Sequence, residues 1–369
     1  MSKIFELFGY RVDAWGAEAQ QNMQRGWCPF MDGECDGGGN RYQSAIDLTK
    51  NPELQKIAPG KEKIQCGVCS LMTGEHEHPW IVCPRRLLSA KGGKLVGNQS
   101  VVRSKISQYS ELDKRQRYMV WSEVKIKTDV TTEEDDVKYF DYTFDYIIAA
   151  TSHISVKDAG IIMDIPSSEV KKRATKGGYA LVSMAGEMLI EDFPIDPIVI
   201  IEVMTSSTSG GNKAKRTQIA MACEDAMLHK NHEGPGINYR QVWARMVSQL
   251  IVKSQVGEAW GGKTIWLVQD VLADYISRTT ALQLPEYISN KLDEVNILAF
   301  GYGNTIEKKA ESIVTLEQAK LYSGPIQKNF NVHRADGFID IVKIGASPPK
   351  EQIWASLINK APLGIWEWG

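Results

Sequence analysis

The sequence predicts an α/β protein of the α+β kind: a mixed sheet flanked by helices, with a small loop-rich module ahead of it. Three observations carry that expectation. The run Pro197-Ile198-Val199-Ile200-Ile201-Glu202-Val203-Met204 is short, apolar and β-branched, bounded by proline and by a Ser/Thr/Gly turn. That is the pattern of a strand buried on both faces. Residues 118–130 alternate (Tyr118, Val120, Ser122, Val124, Ile126), and Tyr139 to Ala149 is strand-like again, with the acidic stretch Thr131 to Asp136 between them. Two such runs around a polar turn read as a hairpin. Beyond residue 205, helical and strand periodicities follow one another, which is an α/β order.

The 369 residues are 43% hydrophobic and 24% charged, an ordinary globular composition that suffices for one large core or two domains. A net charge of −2 argues weakly against a nucleic-acid partner, because such binding needs only a local basic surface. No apolar run approaches the roughly 20 residues of a membrane span, and the N-terminus lacks the apolar stretch of a signal peptide. A cytoplasmic, reducing location is therefore expected, with no membrane partner, and there thiols serve metals or catalysis more often than disulfides.

Residues 1–25 read as a short helix and a polar connection. Residues 26–90 hold five of the six cysteines, Cys28, Cys35, Cys66, Cys69 and Cys83, among glycines and prolines that leave little core. Two Cys-Pro pairs and the knuckle Cys66-Gly67-Val68-Cys69 suggest a clip made by metal, with tetrahedral thiolates suited to Zn²⁺ or iron. Five thiols compete for four places, and His76 and His78 lie close by. Residues 85–127 are basic (Arg85, Arg86, Lys91, Lys94, Arg103, Lys105, Lys114, Arg115, Arg117, Lys125, Lys127). They form either a solvated helix face or a surface that contacts phosphates without reading sequence. Residues 151–195 read as an inserted excursion, with short strands at Ile161–Met163 and Tyr179–Met184 and a basic cluster at Lys171, Lys172, Arg173 and Lys176.

Next come a helix over Lys213–Leu228, with Cys223 on its apolar stripe, and a long amphipathic helix over Tyr239–Val256. A buried strand over Lys263–Asp270, a helix from Val271, a strand at Val295–Phe300 and a helix over Pro349–Lys360 complete the chain. The end, Ile365-Trp366-Glu367-Trp368, docks on the core. The chemistry concentrates on two acids. Glu202 interrupts a buried strand, where a carboxylate is costly unless it is paired or binds a cation. Asp141 and Asp145 sit on the neighbouring strand. Two strands each presenting an acid at one end can hold an oxygen-seeking cation such as Mg²⁺, the core of a metal-dependent nuclease site.

Four blocks resemble the NotI-type type II restriction endonucleases. They are Cys28-Pro-Phe with Gly67-Val-Cys69 and Trp80-Ile-Val-Cys83-Pro-x-Arg86; Asp141-Tyr-Thr-Phe-Asp145-Tyr-Ile-Ile-Ala149; Val199-Ile-Ile-Glu202-Val-Met204-Thr205 followed by Lys213; and Glu233-Gly-Pro-Gly-Ile-Asn through Val242-Trp to Arg245. Together they span roughly residues 1–280. The resemblance implies a PD-(D/E)XK core, residues 91–369, with an insertion around 151–195 and a C-terminal extension, preceded by a four-cysteine metal module in residues 1–90. It implies Mg²⁺-dependent hydrolysis of duplex DNA by a homodimer at a short palindromic, GC-rich site.

By that resemblance Asp145 and Glu202 bind Mg²⁺ with the Val203 carbonyl, Asp141 is held in reserve, and Cys28, Cys35, Cys69 and Cys83 hold a structural Zn²⁺ or iron. The third catalytic place falls on Met204, where the family carries a polar residue. A thioether neither donates a hydrogen bond to water nor suits Mg²⁺, so Lys213, Lys215 or Gln218 is expected to supply that group. Arg85, Arg86, Arg103, Arg240 and Arg245, with Lys213 and Lys215, form the expected DNA-contacting set, since arginine pairs with guanine in the major groove. Two competing readings are a non-catalytic DNA-binding protein whose acids are merely paired in the core, and a different nuclease on the same core.

Overall fold

The computed structural model describes residues 2–38, 45–73, 78–90, 97–131, 137–279, 282, 284–307, 309–326 and 348–366. His76, Lys91, Lys94, most of the acidic turn after Thr131, and Trp368 lie outside the described residues. The chain opens with β1 (Ser2–Leu7), β2 (Tyr10–Arg11) and α1 (Ala17–Arg25). It continues through β3 (Trp27–Cys28), β4 (Gly33–Glu34), β5 (Ala45–Asp47), α2 (Pro52–Ile57) and β6 (Lys63–Gln65). Then come β7 (Val68–Thr73), β8 (Pro79–Ile81), α3 (Pro84–Leu87) and α4 (Gly97–Tyr109). The first residues are thus a strand before a helix. The β1 burial pattern leaves only Lys3 exposed, because the strand is central in a four-stranded sheet of order β2-β1-β7-β8.

A second, eight-stranded sheet is mixed. Its hairpin is β9 (Tyr118–Thr131) and β10 (Val137–Ser155), followed by α5 (Val156–Met163), α6 (Ser167–Lys176), β11 (Leu181–Met184) and β12 (Glu187–Val203). After these run α7 (Ile219–Met227), α8 (Tyr239–Ala259), β13 (Lys263–Gln269), α9 (Asp270–Thr279), β14 (Val295–Gly301), β15 (Gln318–Gly324), α10 (Glu351–Leu357) and β16 (Gly364–Ile365). The strand order is β15-β14-β13-β12-β10-β9-β16, with β11 on β12. β9, β10 and β12 are antiparallel, and β12, β13 and β14 are parallel. Parallel neighbours need a crossover, and α7 with α8, then α9, supply them.

Two expectations about local structure are corrected. In residues 151–195, β10 and β12 run on past the hairpin core and are joined by α5, α6 and β11, whose Leu181–Met184 falls within the strand expected at Tyr179–Met184. Ile161–Met163 is therefore helical, capped by the Ser155 hydroxyl on the Asp158 N–H at 3.0 Å. The basic cluster lies on α6, where Glu169 pairs with Lys172 and Arg173. The helix foreseen from Lys213 starts only at Ile219. Residues before it turn back on themselves, with Asn212 N–H donating to the Thr217 hydroxyl at 2.7 Å.

Both faces of the large sheet are covered. One buries Trp121, Phe144, Ile147, Ile198 and Ile200 under α5, α6, α8 and α10. The other buries Tyr146, Ile148, Val199 and Ile201 with Leu87, Val102, Phe300 and Trp366. The Trp366 indole docks as expected, donating to the Ser107 hydroxyl at 2.8 Å. The cysteine-bearing region shares a third core with α7. It is also fastened by a buried ion pair. Arg86 Nε lies 2.9 Å from Glu6 Oε1, both side chains fully buried, while Ser70 and Tyr302 hydroxyls donate to Glu6 Oε2. Removing one partner leaves an uncompensated interior charge. Arg86→Met is expected to lower the unfolding free energy by about 3–5 kcal/mol, read from urea denaturation; a loss below about 1 kcal/mol would mean that the pair does not hold the region in place.

Candidate active site

The register of the large sheet brings the two acids together. Tyr146 pairs with Ile201 across β10 and β12, so the next step sets Asp145 level with Glu202. The Val203 N–H donates to Asp145 Oδ2 at 2.8 Å, and the Asp145 N–H reaches Glu202 Oε1 at 3.4 Å. On its other side Glu202 pairs with Trp266 of the parallel strand β13. The acids therefore lie at the carboxyl ends of the parallel strands, where open α/β sheets place their ligand crevices.

A third charged group arrives from α8. Lys253 Nζ lies 2.6 Å from Glu202 Oε2 and donates to the Thr143 carbonyl at 2.7 Å. Its ammonium also stands 5.4 Å from the Phe144 ring centroid and 5.9 Å from that of Trp266. The depth of α8 on the sheet permits this reach. A Cβ at Gly257, one turn on, would lie 2.4 Å from Thr264 Oγ1 on β13, and that hydroxyl donates to the Lys253 carbonyl at 3.1 Å. A larger residue would hold the helix, and Lys253 with it, away from Glu202.

Glu202 is 2% exposed. Burial and the neighbouring Asp145 carboxylate push its carboxyl up to about 8, while Lys253 pulls the other way. These groups close the floor of a cleft of about 720 Å³. It is lined by Thr143, Thr205, Ser207, Thr208 and Ser209 together with Arg245 and Gln249 of α8. Arg245, Gln249 and Lys253 are four residues apart, so they form one helical stripe running from solvent to the acids. Hydroxyls, amide and cations suit an anionic ligand. The carboxylate pair offers hard oxygen donors to a divalent cation, and the ammonium already seated on Glu202 shows that a positive charge fits there.

The remaining expected residues divide. Met204 lines the cleft, but its side chain packs against the α8–β13 apolar cluster, so it is wall rather than chemistry. Gln218 also lines the cleft, whereas Lys213 and Lys215 are exposed in the turn before α7 and do not. Asp141 lies out along the hairpin and pairs with Lys125 at 3.3 Å. Among the expected DNA contacts, Arg86 and Arg103 are corrected: both are interior, Arg86 on Glu6 and Arg103 on the Ser89 carbonyl and over Trp366. Arg85 is committed to Asp36 and the Tyr146 hydroxyl. Arg245 reaches the cleft; the Arg240 side chain lies outside the described residues. Lys253 escaped sequence reasoning, although a signal existed: it interrupts the apolar run Leu250-Ile251-Val252 of an amphipathic helix.

The cysteines sort into two groups. Cys28 and Cys69, with the partly buried Cys35, share a patch with Phe30 and Met31, and Cys83 lies within electrostatic reach of Cys28, Cys35 and Cys69. Burial pushes the Cys28 thiol up to about 11 and Cys83 to about 12, so thiolates there call for a neutralising cation. As the side chains stand, no three metal-ligating residues among those described converge on one point. Cys66 meets Cys223 of α7 and also lies near Cys35, whose Sγ stands 4.0 Å from the Cys66 carbonyl oxygen. In the knuckle only glycine fits at 67, because a Cβ there would lie 2.4 Å from the Phe8 ring.

Comparison with family models, curated proteins and solved structures returned no match. The geometry of α8 is open to a direct check. Gly257→Leu is expected to lower stability by about 1–3 kcal/mol through overpacking against Thr264, measured by thermal or urea unfolding. Unchanged stability would show that α8 does not depend on this close approach.

Proposed function

We propose that the protein is a Mg²⁺-dependent endonuclease acting on double-stranded DNA, built on a PD-(D/E)XK-type core. The single observation that carries this reading is the convergence of Asp145 and Glu202 from adjacent strands on the floor of a polar cleft. An antiparallel hairpin, a third strand bearing the second acid, a helical crossover and a fourth strand parallel to the third support it. In this reading Asp145 and Glu202 hold the ion, whose chemistry is to lower the pKa of a bound water and offset charge on the scissile phosphate. Arg245 and Gln249 seat the flanking phosphate backbone, and the hydroxyl-lined wall orients it. The reading extends to a type II restriction enzyme acting as a homodimer on a palindrome, with a structural zinc or iron in the four-cysteine patch.

A second reading, a DNA-binding protein without catalysis, is favoured by one observation: Glu202 is already closed by Lys253. A long GC-rich duplex, incubated with Mg²⁺ or with EDTA, separates the two. Discrete fragments are expected with Mg²⁺ alone. Asp145→Asn and Glu202→Gln are each expected to cut at least about 100-fold more slowly while still shifting the duplex on a gel. Intact DNA from the wild type, with a retained band shift, supports the binding protein instead.

Metal analysis of purified protein tests the cysteine patch. About one zinc or iron per chain is expected, lost in Cys28→Ser and Cys69→Ser and kept in Cys66→Ser and Cys223→Ser. Protein free of both metals would remove the clip from the proposal.

A further inference from the structure

Lys253 does more than satisfy a buried acid. Its side chain is 4% exposed and that of Glu202 3%. The ammonium has two oxygen acceptors, Glu202 Oε2 and the Thr143 carbonyl, and otherwise faces the Phe144 and Trp266 rings. The other Glu202 oxygen faces the Asp145 N–H, and Asp145 is itself a carboxylate at the same end of the sheet. A buried carboxylate beside a half-buried one is repelled by it unless a positive charge stands with them. Lys253 is the cation paired with Glu202 there, brought in by α8, whose Arg245 and Gln249 also line the cleft.

We propose that Lys253 is a built-in counter-cation of the carboxylate pair, one that competes with a divalent ion for Glu202. The inference rests on the divalent-ion reading given above. Before an ion binds, the 2.6 Å contact holds Glu202 Oε2 in place on the cleft floor. An ion shared by Asp145 and Glu202 must weaken that contact, because ammonium and dication cannot both hold the same buried oxygen at full strength. Lys253 therefore lowers ion affinity while holding the acids in place for it. The released ammonium faces the cleft floor, where the remaining anionic partner is a phosphate oxygen of the substrate. Met204, on the neighbouring wall, cannot supply such a charge. A lysine that only filled space would behave differently: its removal would leave ion affinity the same or lower.

The test is a calorimetric titration of the full-length protein with Mn²⁺ alone, without DNA. Wild type is expected to bind the ion, and Glu202→Gln to lose that binding. Lys253→Met is expected to bind about tenfold more tightly or better, and Lys253→Arg, which keeps the charge, within about twofold of wild type. Equal or weaker binding by a cooperatively melting Lys253→Met overturns the proposal. Should that variant not melt cooperatively, Lys253→Gln is read by the same criterion. A wild type whose Mn²⁺ binding is absent, or is unaffected by Glu202→Gln, sinks the divalent-ion reading and this inference with it. Ion binding that depends on Glu202 but not on Lys253 sinks the inference alone.

Discussion

The structure depends on accommodating one acid, Glu202, inside a sheet. Glu202 lies between β10 and β13, nearly sealed from solvent, and a bare acid there would cost several kcal/mol. Lys253 offsets that cost from one direction, and the Asp145 N–H contributes from another. Both depend on elements far apart in sequence. The β10–β12 register sets Asp145 beside Glu202, and the seating of α8 at Gly257 sets the reach of Lys253. Shifting the register by one residue would turn the acid to the other face.

The cysteine-bearing region is tied to the same machinery. The Glu6–Arg86 pair fastens β1 to α3, and Tyr302 adds a hydroxyl from beyond β14. The next residue along, Arg85, reaches from α3 to the Tyr146 hydroxyl, and Tyr146 follows Asp145 on β10. Ile81 N–H donates to the Gln269 side chain at the end of β13. The region is thus joined to both strands that frame the acids. Basic residues that look like ligand contacts in the sequence are spent on these joints. Arginine suits them, since its planar fork satisfies several acceptors at once.

Much of the large sheet was legible. The hairpin of β9 and β10, the Glu202 strand, α8, β13 and β14 all follow from apolar runs and periodicity, because those patterns reflect burial on one or both faces. The opening strand β1 was not legible, since its burial depends on β7, more than sixty residues away. Nor was helix α5, whose Ile161 is 70% exposed and whose β-branched residues mimic a strand. At the site, Asp145 and Glu202 stood out as acids in apolar strands. Arg86 and Arg103 misled, because a charge that is fully paired inside the protein looks the same in sequence as one awaiting a phosphate.

By itself the sequence determined the strands that bear the acids, the helix that follows them and the concentration of thiols ahead of them. These are local matters, governed by side-chain polarity and by the periods of strand and helix. The tertiary structure alone decided which cation meets Glu202, that Cys66 meets Cys223, and which arginines are interior. Such pairings join residues as far apart as Glu6 and Tyr302, or Thr143 and Lys253. They arise from register and helix seating, which no local pattern encodes.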